Sequence, residues 1–213
     1  MKFESFLKSI VKIENLTLPA ETSQFKMSPP HRANLIKLQA ERIKKARKSA
    51  VMALFYPNTK GETYLILILR KTYKGVHSAQ VGFPGGKLEA GETNEQAALR
   101  ETEEEIGVKQ NTITVLKALT EMYIPPSNFY VKPFVGIVEK TPDFIKQDTE
   151  VEAFLEINLD NFLSDIVITT KTVIMANGLE VSVPAYNLNN HLVWGATAMM
   201  LSEVKDLLKA SFK

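Results

Sequence analysis

Apolar residues recur at helical spacing at the start of the chain: Phe3, Phe6, Leu7 and Ile10 fall on one stripe and predict a helix over residues 2–12. Leu18-Pro19-Ala20 and Ser28-Pro29-Pro30 interrupt it, since proline lacks the amide hydrogen a helix needs. A second helix is predicted from Leu35 to Arg47. It finishes in the basic run Arg42 to Lys48, which reads as a solvated face or as a phosphate-binding edge. The pattern then becomes strand-like. The apolar run Ala50–Tyr56 predicts a buried strand, Pro57 to Gly61 a turn, and Thr63–Arg70 the returning strand. Further strand-like runs lie near residues 112–119 and 130–138. Val167 to Thr170 and Glu180 to Pro184 predict a late hairpin around Asn177-Gly178, and Ala196 to Leu208 a closing helix.

The segment between the two halves of this pattern carries the chemistry. Gly86-Lys-Leu-Glu-Ala-Gly-Glu92 is followed by Arg100-Glu-Thr-Glu-Glu-Glu-Ile-Gly-Val108. Residues three and four apart are neighbours on a helix, so Glu101, Glu104 and Glu105 share one face. Like charges so placed repel unless a cation sits among them, and a hard divalent ion such as Mg²⁺ prefers carboxylate oxygens and brings phosphates with it. Thr93 or Asn94 can cap the helix start, with Glu92 and Glu95 at its positive end. Gly107 should end the helix as a left-handed cap. Gly85 and Gly86, after Phe83, allow a sharp turn and close approach of a ligand, and a carbonyl there could serve a metal. Arg100 could pair with Glu92. A solvated acidic helix would need neither the glycines nor the arginine.

These residues resemble the Nudix box, whose pattern is Gly, five residues, Glu, seven residues, Arg-Glu-apolar-x-Glu-Glu-x-Gly-apolar. The chain supplies Gly86, Glu92, Arg100, Glu101, Glu104, Glu105, Gly107 and Val108, with Thr102 where an aliphatic residue is usual. The resemblance implies an α/β fold of the Nudix α/β/α sandwich type with a mixed sheet. Residues 1–48 would form an N-terminal helical extension and residues 49–213 the Nudix hydrolase domain. It also implies Mg²⁺ or Mn²⁺ as cofactor, held by Glu101, Glu104, Glu105 and Gly86, with Arg100 beside the catalytic acids.

Outside the box, Arg70, His77, Val81, Phe83, Pro84, Gly85 and Gly86 are similar to the signature of coenzyme A pyrophosphatases, whereas Lys71, Lys74, Gly75 and Ala79 depart from it. Tyr123-Ile-Pro-Pro-Ser-Asn-Phe129, Pro133-Phe-Val-Gly136 and Val193-Trp-Gly-Ala-Thr-Ala198 look like the same subfamily. What this implies is cleavage of the coenzyme A pyrophosphate to 3′-phosphoadenosine 5′-phosphate and 4′-phosphopantetheine. Arg70, His77, Phe83, Gly85 and Tyr123 would bind the substrate. From the residues alone, Arg70, Lys71 and Lys74 could reach the 3′-phosphate or be a solvated strand end. Tyr123, Phe129 and Trp194 could stack on adenine or line the pantetheine channel, with Trp194 also a candidate for the core. A Nudix hydrolase of another nucleoside diphosphate derivative such as ADP-ribose, and a catalytically silent nucleotide-binding regulator, remain alternatives.

Composition narrows this only slightly. With 213 residues, 45% of them hydrophobic, the chain can bury a full core. A formal charge of +2 gives no argument for a nucleic-acid partner, and the lack of cysteine removes disulfide and thiol chemistry. No apolar run approaches a membrane span, and the first residues lack a signal peptide's apolar core. The expectation is a cytoplasmic enzyme with a small-molecule nucleotide substrate and no membrane or nucleic-acid partner, whose N-terminal extension could serve a homodimer.

Overall fold

Strand β1 (Arg47–Pro57) divides its side chains between two cores. Met52, Leu54 and Tyr56 belong to one buried cluster, Ala53 and Phe55 to another, because successive side chains of a strand point to opposite faces. In this computed structural model, which describes residues 1–71, 80–174 and 178–212, β1 is therefore the middle of a sheet covered on both faces. Before it come the helices α1 (Phe3–Ile10), α2 (Ala20–Gln24), α3 (Arg32–Leu38) and α4 (Ala40–Ile43). After it come β2 (Thr63–Arg70), β3 (Val81–Gly82), β4 (Gly85–Lys87), α5 (Asn94–Ile106), β5 (Thr114–Ala118), β6 (Met122–Ile124), β7 (Phe129–Ile137) and β8 (Val151–Asn158). The chain continues through α6 (Leu159–Leu163), β9 (Ile168–Ile174), β10 (Glu180–Leu188), β11 (His191–Trp194) and α7 (Gly195–Ser211).

The main sheet runs β3-β2-β1-β7-β5, with β4 also on β1, β6 on β7 and β8 on β2. Only β1 and β7 are parallel among these pairs, in register from Arg47↔Phe129 to Phe55↔Ile137, so the sheet is mixed. Helix α5 covers one face, where Ala97, Ala98 and Ile106 meet Met52, Leu54 and Ile66. Helices α1 and α7 cover the other, with Phe6, Ile10, Leu201 and Val204 beside Phe55 and Leu65. That is the helix–sheet–helix layering expected from the box. Phe6 and Phe55 meet at 5.2 Å between ring centroids, so the N-terminal helix is packed into the same core as the sheet. A separate antiparallel sheet, β11-β10-β9, leads into α7.

Several boundaries differ from those read in the sequence. The helix expected from Leu35 to Arg47 starts at Arg32, breaks at Gln39 (φ −110°, ψ 20°) and ends at Ile43, after which Arg47 and Lys48 open β1. The basic run therefore spans the end of α4, a turn and the start of β1 instead of one helical face. Strand β8 lay outside the expected elements. The late hairpin is present as β9 and β10, while Asn177 of its turn lies outside the described residues. Among the described residues no helix is long and apolar enough to cross a membrane.

Helix α5 starts and stops as its sequence dictates. Thr93 accepts from the Gln96 amide at 3.2 Å, and the Gln96 side chain accepts from the Thr93 amide at 2.9 Å, a reciprocal capping box. Gly107 ends the helix at φ 76°, in the left-handed region. Removing the cap hydroxyl in Thr93→Ala should lower stability by about 1 kcal/mol. Urea denaturation would check this, and an unchanged midpoint would mean the cap contributes nothing.

Candidate active site

Two glycines bring the sheet and the acidic helix together. Gly85 adopts φ 145°, and a Cβ there would lie 2.3 Å from the Ala50 carbonyl oxygen and 2.5 Å from Val51 Cα. Only glycine lets β4 lie this close on β1. At Gly86 a Cβ would lie 2.3 Å from the Glu101 carboxylate, so the missing side chain is the space that Glu101 fills.

The three helix acids stand in different surroundings. Their side chains are 16% exposed for Glu101, 55% for Glu104 and 2% for Glu105. Glu105 accepts from the Gly85 amide at 2.8 Å and from Arg70 Nη1 at 2.8 Å. Arg70 also donates to the Gly85 carbonyl at 2.7 Å, so one guanidinium ties the end of β2 to both the glycine strand and the helix. Burial pushes the Glu105 carboxyl up to about 7, opposed by Arg70 and the Gly85 amide and reinforced by Glu101 and Glu150. Burial likewise raises Glu101, against the pull of Arg100 and with the push of Glu104 and Glu150. Glu150, from the loop before β8, thus joins the cluster electrostatically, which its place in the sequence could not reveal.

Arg100 does reach Glu92, with Nε to Oε1 at 2.7 Å and Nη2 to Oε2 at 3.1 Å. It also donates to Glu101 and Glu104, each at 3.0 Å, and to the Lys87 carbonyl at 3.0 Å. This fan of hydrogen bonds fixes the loop against the helix and pushes the guanidinium further above its ordinary value, chiefly through Glu92.

A cavity of about 430 Å³ opens beside the glycines. Arg70, Phe83, Gly85 and Gly86, all expected at the substrate site, line it. Tyr123 does not: its ring is buried and its hydroxyl donates to Asn128 Oδ1 at 2.9 Å, while its neighbours Ile124 to Ser127 form the wall. Trp194 lines the cavity, with Lys171 Nζ 5.3 Å from its ring centroid. His77, like Lys74, lies outside the described residues. Further walls come from Pro29, His31, Arg32 and Leu35 at the start of α3 and from Thr197, Met199 and Met200 of α7. Thr197 lies in the Val193–Ala198 stretch already singled out; His31, Arg32, Leu35, Met199 and Met200 were not, and the cue for the first two was their place directly after a Pro-Pro break.

Residues 46–167, more than half of the chain, match the NUDIX domain. The chain belongs to the Nudix family. It is 26% identical over 166 residues to Nudix hydrolase 3 of Caenorhabditis elegans, covering 70% of this chain and 68% of that protein. It is 32% identical over 141 residues to an uncharacterized Nudix hydrolase, NudL, of Yersinia pestis, covering 66% and 70%. The solved Nudix hydrolase RenU from M. Smegmatis superposes with a TM-score of 0.53 at 15% identity, over 78% of this chain and 87% of that one, which speaks to the fold alone. The protein is accordingly a Nudix pyrophosphohydrolase.

The one departure from the Nudix pattern is accommodated locally. Thr102 is fully buried on the inner face of α5, and its hydroxyl donates to the Ala98 carbonyl at 2.6 Å, so the methyl packs and the polar atom is satisfied. Among the described residues no three acid or histidine side chains form a ready-made cage for a metal ion. Arg70 and Arg100 supply the positive charge between the acids. The donors nevertheless fit a hard divalent cation. They are all oxygen, the Glu101 carboxylate lies in the space left by Gly86, and burial with mutual repulsion disfavours the ionised acids unless a cation joins them.

Proposed function

We propose that this Nudix hydrolase cleaves the pyrophosphate bond of coenzyme A or a close derivative, giving 3′-phosphoadenosine 5′-phosphate and 4′-phosphopantetheine or its acyl form. The observation that carries the reading is the cavity beside the box. It joins the glycine strand to apolar walls at Phe83, Ile124, Trp194 and Met199 and to cationic groups beyond the box acids. A substrate with an anhydride, a further phosphate and a long neutral arm matches such a lining. The subfamily signature around Phe83-Pro84-Gly85-Gly86 supports the same choice.

The chemistry is attack of water on phosphorus with departure of the other phosphate. Glu101, Glu104 and Glu105, with the Gly86 carbonyl, would hold a divalent cation, Mg²⁺ or Mn²⁺, which when bound neutralises phosphoryl oxygens and acidifies water. Arg70 keeps Glu105 and the Gly85 strand in fixed relation, and Arg100 does the same for Glu101, Glu104 and the Lys87 loop. Positioning of this kind supplies much of the acceleration in phosphoryl transfer. The proton of the attacking water passes to a carboxylate not committed to the cation. Glu150, an exposed acid of the cluster that lies outside the set holding the cation, fills that role.

The test is hydrolysis of coenzyme A beside ADP-ribose, with products separated by chromatography. Release of 3′-phosphoadenosine 5′-phosphate, abolished by chelator and restored by Mg²⁺ or Mn²⁺, is the expected outcome. Cleavage of ADP-ribose in its place would overturn the coenzyme A reading while leaving the Nudix chemistry, and cleavage of neither would favour a silent binding domain.

A further inference from the structure

Three residues that line the cavity, far from the box in sequence, each carry a buried side-chain atom without a partner among the described residues: His31 Nδ1, Arg32 Nε and Ser127 Oγ. Leaving a buried donor unsatisfied costs about 1–3 kcal/mol, more for a charged group, so three such atoms on one cavity wall need an explanation. Among the described residues Arg32 makes its hydrogen bond through Nη2, which donates to the Tyr123 carbonyl at 2.6 Å. It takes part in no salt bridge among the described residues. Burial pulls its guanidinium below the ordinary value, with the charge of Glu21 opposing. A desolvated cation whose fork is half used is matched to an anion with several acceptor oxygens.

The wall is also held in place. Pro125 and Pro126 stiffen the loop before Ser127, and Asn128, at φ 56°, returns its amide to the Ile124 carbonyl at 3.0 Å. The Tyr123 hydroxyl bonds the side chains of Asn128 and Gln39, linking this loop to the break between α3 and α4. By contrast, two of the described cations that precede the box are committed or lie elsewhere. Arg70 is bound to Glu105 and Gly85, and Lys71 is not part of the cavity wall.

We infer that His31, Arg32 and Ser127 form a second anion subsite, which holds a phosphate monoester of the substrate that is not cleaved. The inference rests on the coenzyme A reading for the identity of that phosphate, the one on the ribose 3′-oxygen. It makes the segment before β1 the part of the chain that separates coenzyme A from nucleotides lacking this phosphate.

The test compares kcat/KM for coenzyme A with that for coenzyme A lacking its 3′-phosphate, in the full chain and in Arg32→Gln and Ser127→Ala. The wild-type ratio should be about tenfold or more, falling toward unity in Arg32→Gln and by a smaller step in Ser127→Ala, as expected for loss of a charged and a neutral hydrogen bond. A wild-type ratio near one, or a ratio unchanged in both variants, would overturn the subsite. Should circular dichroism find Arg32→Gln unfolded, the wild-type and Ser127→Ala ratios decide. If neither coenzyme is hydrolysed, the coenzyme A reading fails separately. The subsite is then judged by calorimetry with adenosine 3′,5′-bisphosphate against AMP: tighter binding of the bisphosphate, reduced in Ser127→Ala, keeps it, and equal affinities remove it.

Discussion

Glu105→Gln should lower kcat by about 10²–10⁴-fold, the range typical of losing one charged group in the reacting centre. Glu105 is the most buried acid of the cluster and the point where the helix, the Gly85 amide and Arg70 meet. Glutamine keeps the shape and replaces an acceptor oxygen by a donor. Whichever way the amide turns, its nitrogen faces either the Gly85 N–H or the Arg70 guanidinium. The sequence alone suggests a silent substitution for the fold. The geometry adds a stability loss of about 1–3 kcal/mol, because a donor is left facing a donor in a largely buried position. Glu104→Gln provides the contrast, since Glu104 is exposed and, among the described residues, bonded only to Arg100. Its effect on stability should stay within about 0.5 kcal/mol. Steady-state kinetics at saturating substrate and metal, with urea denaturation of the same samples, would read both quantities. Wild-type turnover in Glu105→Gln would remove Glu105 from the reaction.

The difference between what could be read in the chain and what could not follows the range of the interactions. The α5 helix was legible to within a residue because its determinants are local: a capping box at Thr93 and Gln96, small apolar residues facing the sheet and a glycine at φ 76°. Strand β2 was legible for a similar reason, as an apolar run bounded by turn residues. Strand β8 was not. Among the described residues it pairs only with β2; it carries Glu152 and Glu156 on exposed positions, and so mixes acids of low strand propensity into its apolar pattern. The break at Gln39 has no proline or glycine to announce it; the side chain there accepts a hydrogen bond from Tyr123, more than eighty residues away.

The site divides in the same way. Glu92, Arg100, Glu101, Glu104 and Glu105 lie within one loop and one helix, so their spacing alone places them together. The pairing of Arg70 with Glu105 could not be read, because the two are thirty-five positions apart and are brought together by the β2–β1–β4 arrangement. Tyr123 was expected to touch substrate as an aromatic residue in a proline-rich loop. Its hydroxyl instead fixes that loop, and a side chain's direction in a strand ending cannot be read from composition. His31, Arg32 and Ser127 come together only through the packing of α3 against the β6–β7 loop.

The two adjacent glycines give the sharpest separation of folding from catalysis. A methyl group at Gly85 would meet backbone on β1, at 2.3 Å from the Ala50 oxygen and 2.5 Å from Val51 Cα, at a φ that side chains rarely adopt. Neither strand can yield without breaking its ladder, so Gly85→Ala should cost about 3 kcal/mol or more and leave little folded protein. The three atoms nearest a methyl group at Gly86 would all belong to the Glu101 carboxylate, at 2.3–2.4 Å. That side chain can rotate away at small cost to the fold, but it then leaves the position from which it would serve the cation and the phosphate. Gly86→Ala should therefore stay folded and lose about 10²-fold in kcat, the scale associated with displacing a reacting group by about an ångström. Thermal denaturation of both variants, with kinetics on whichever remains folded, tests the pair. Full activity in Gly86→Ala would mean that the Glu101 carboxylate acts from elsewhere, and unfolding of Gly86→Ala to the same extent as Gly85→Ala would mean that the carboxylate is held too firmly to move aside.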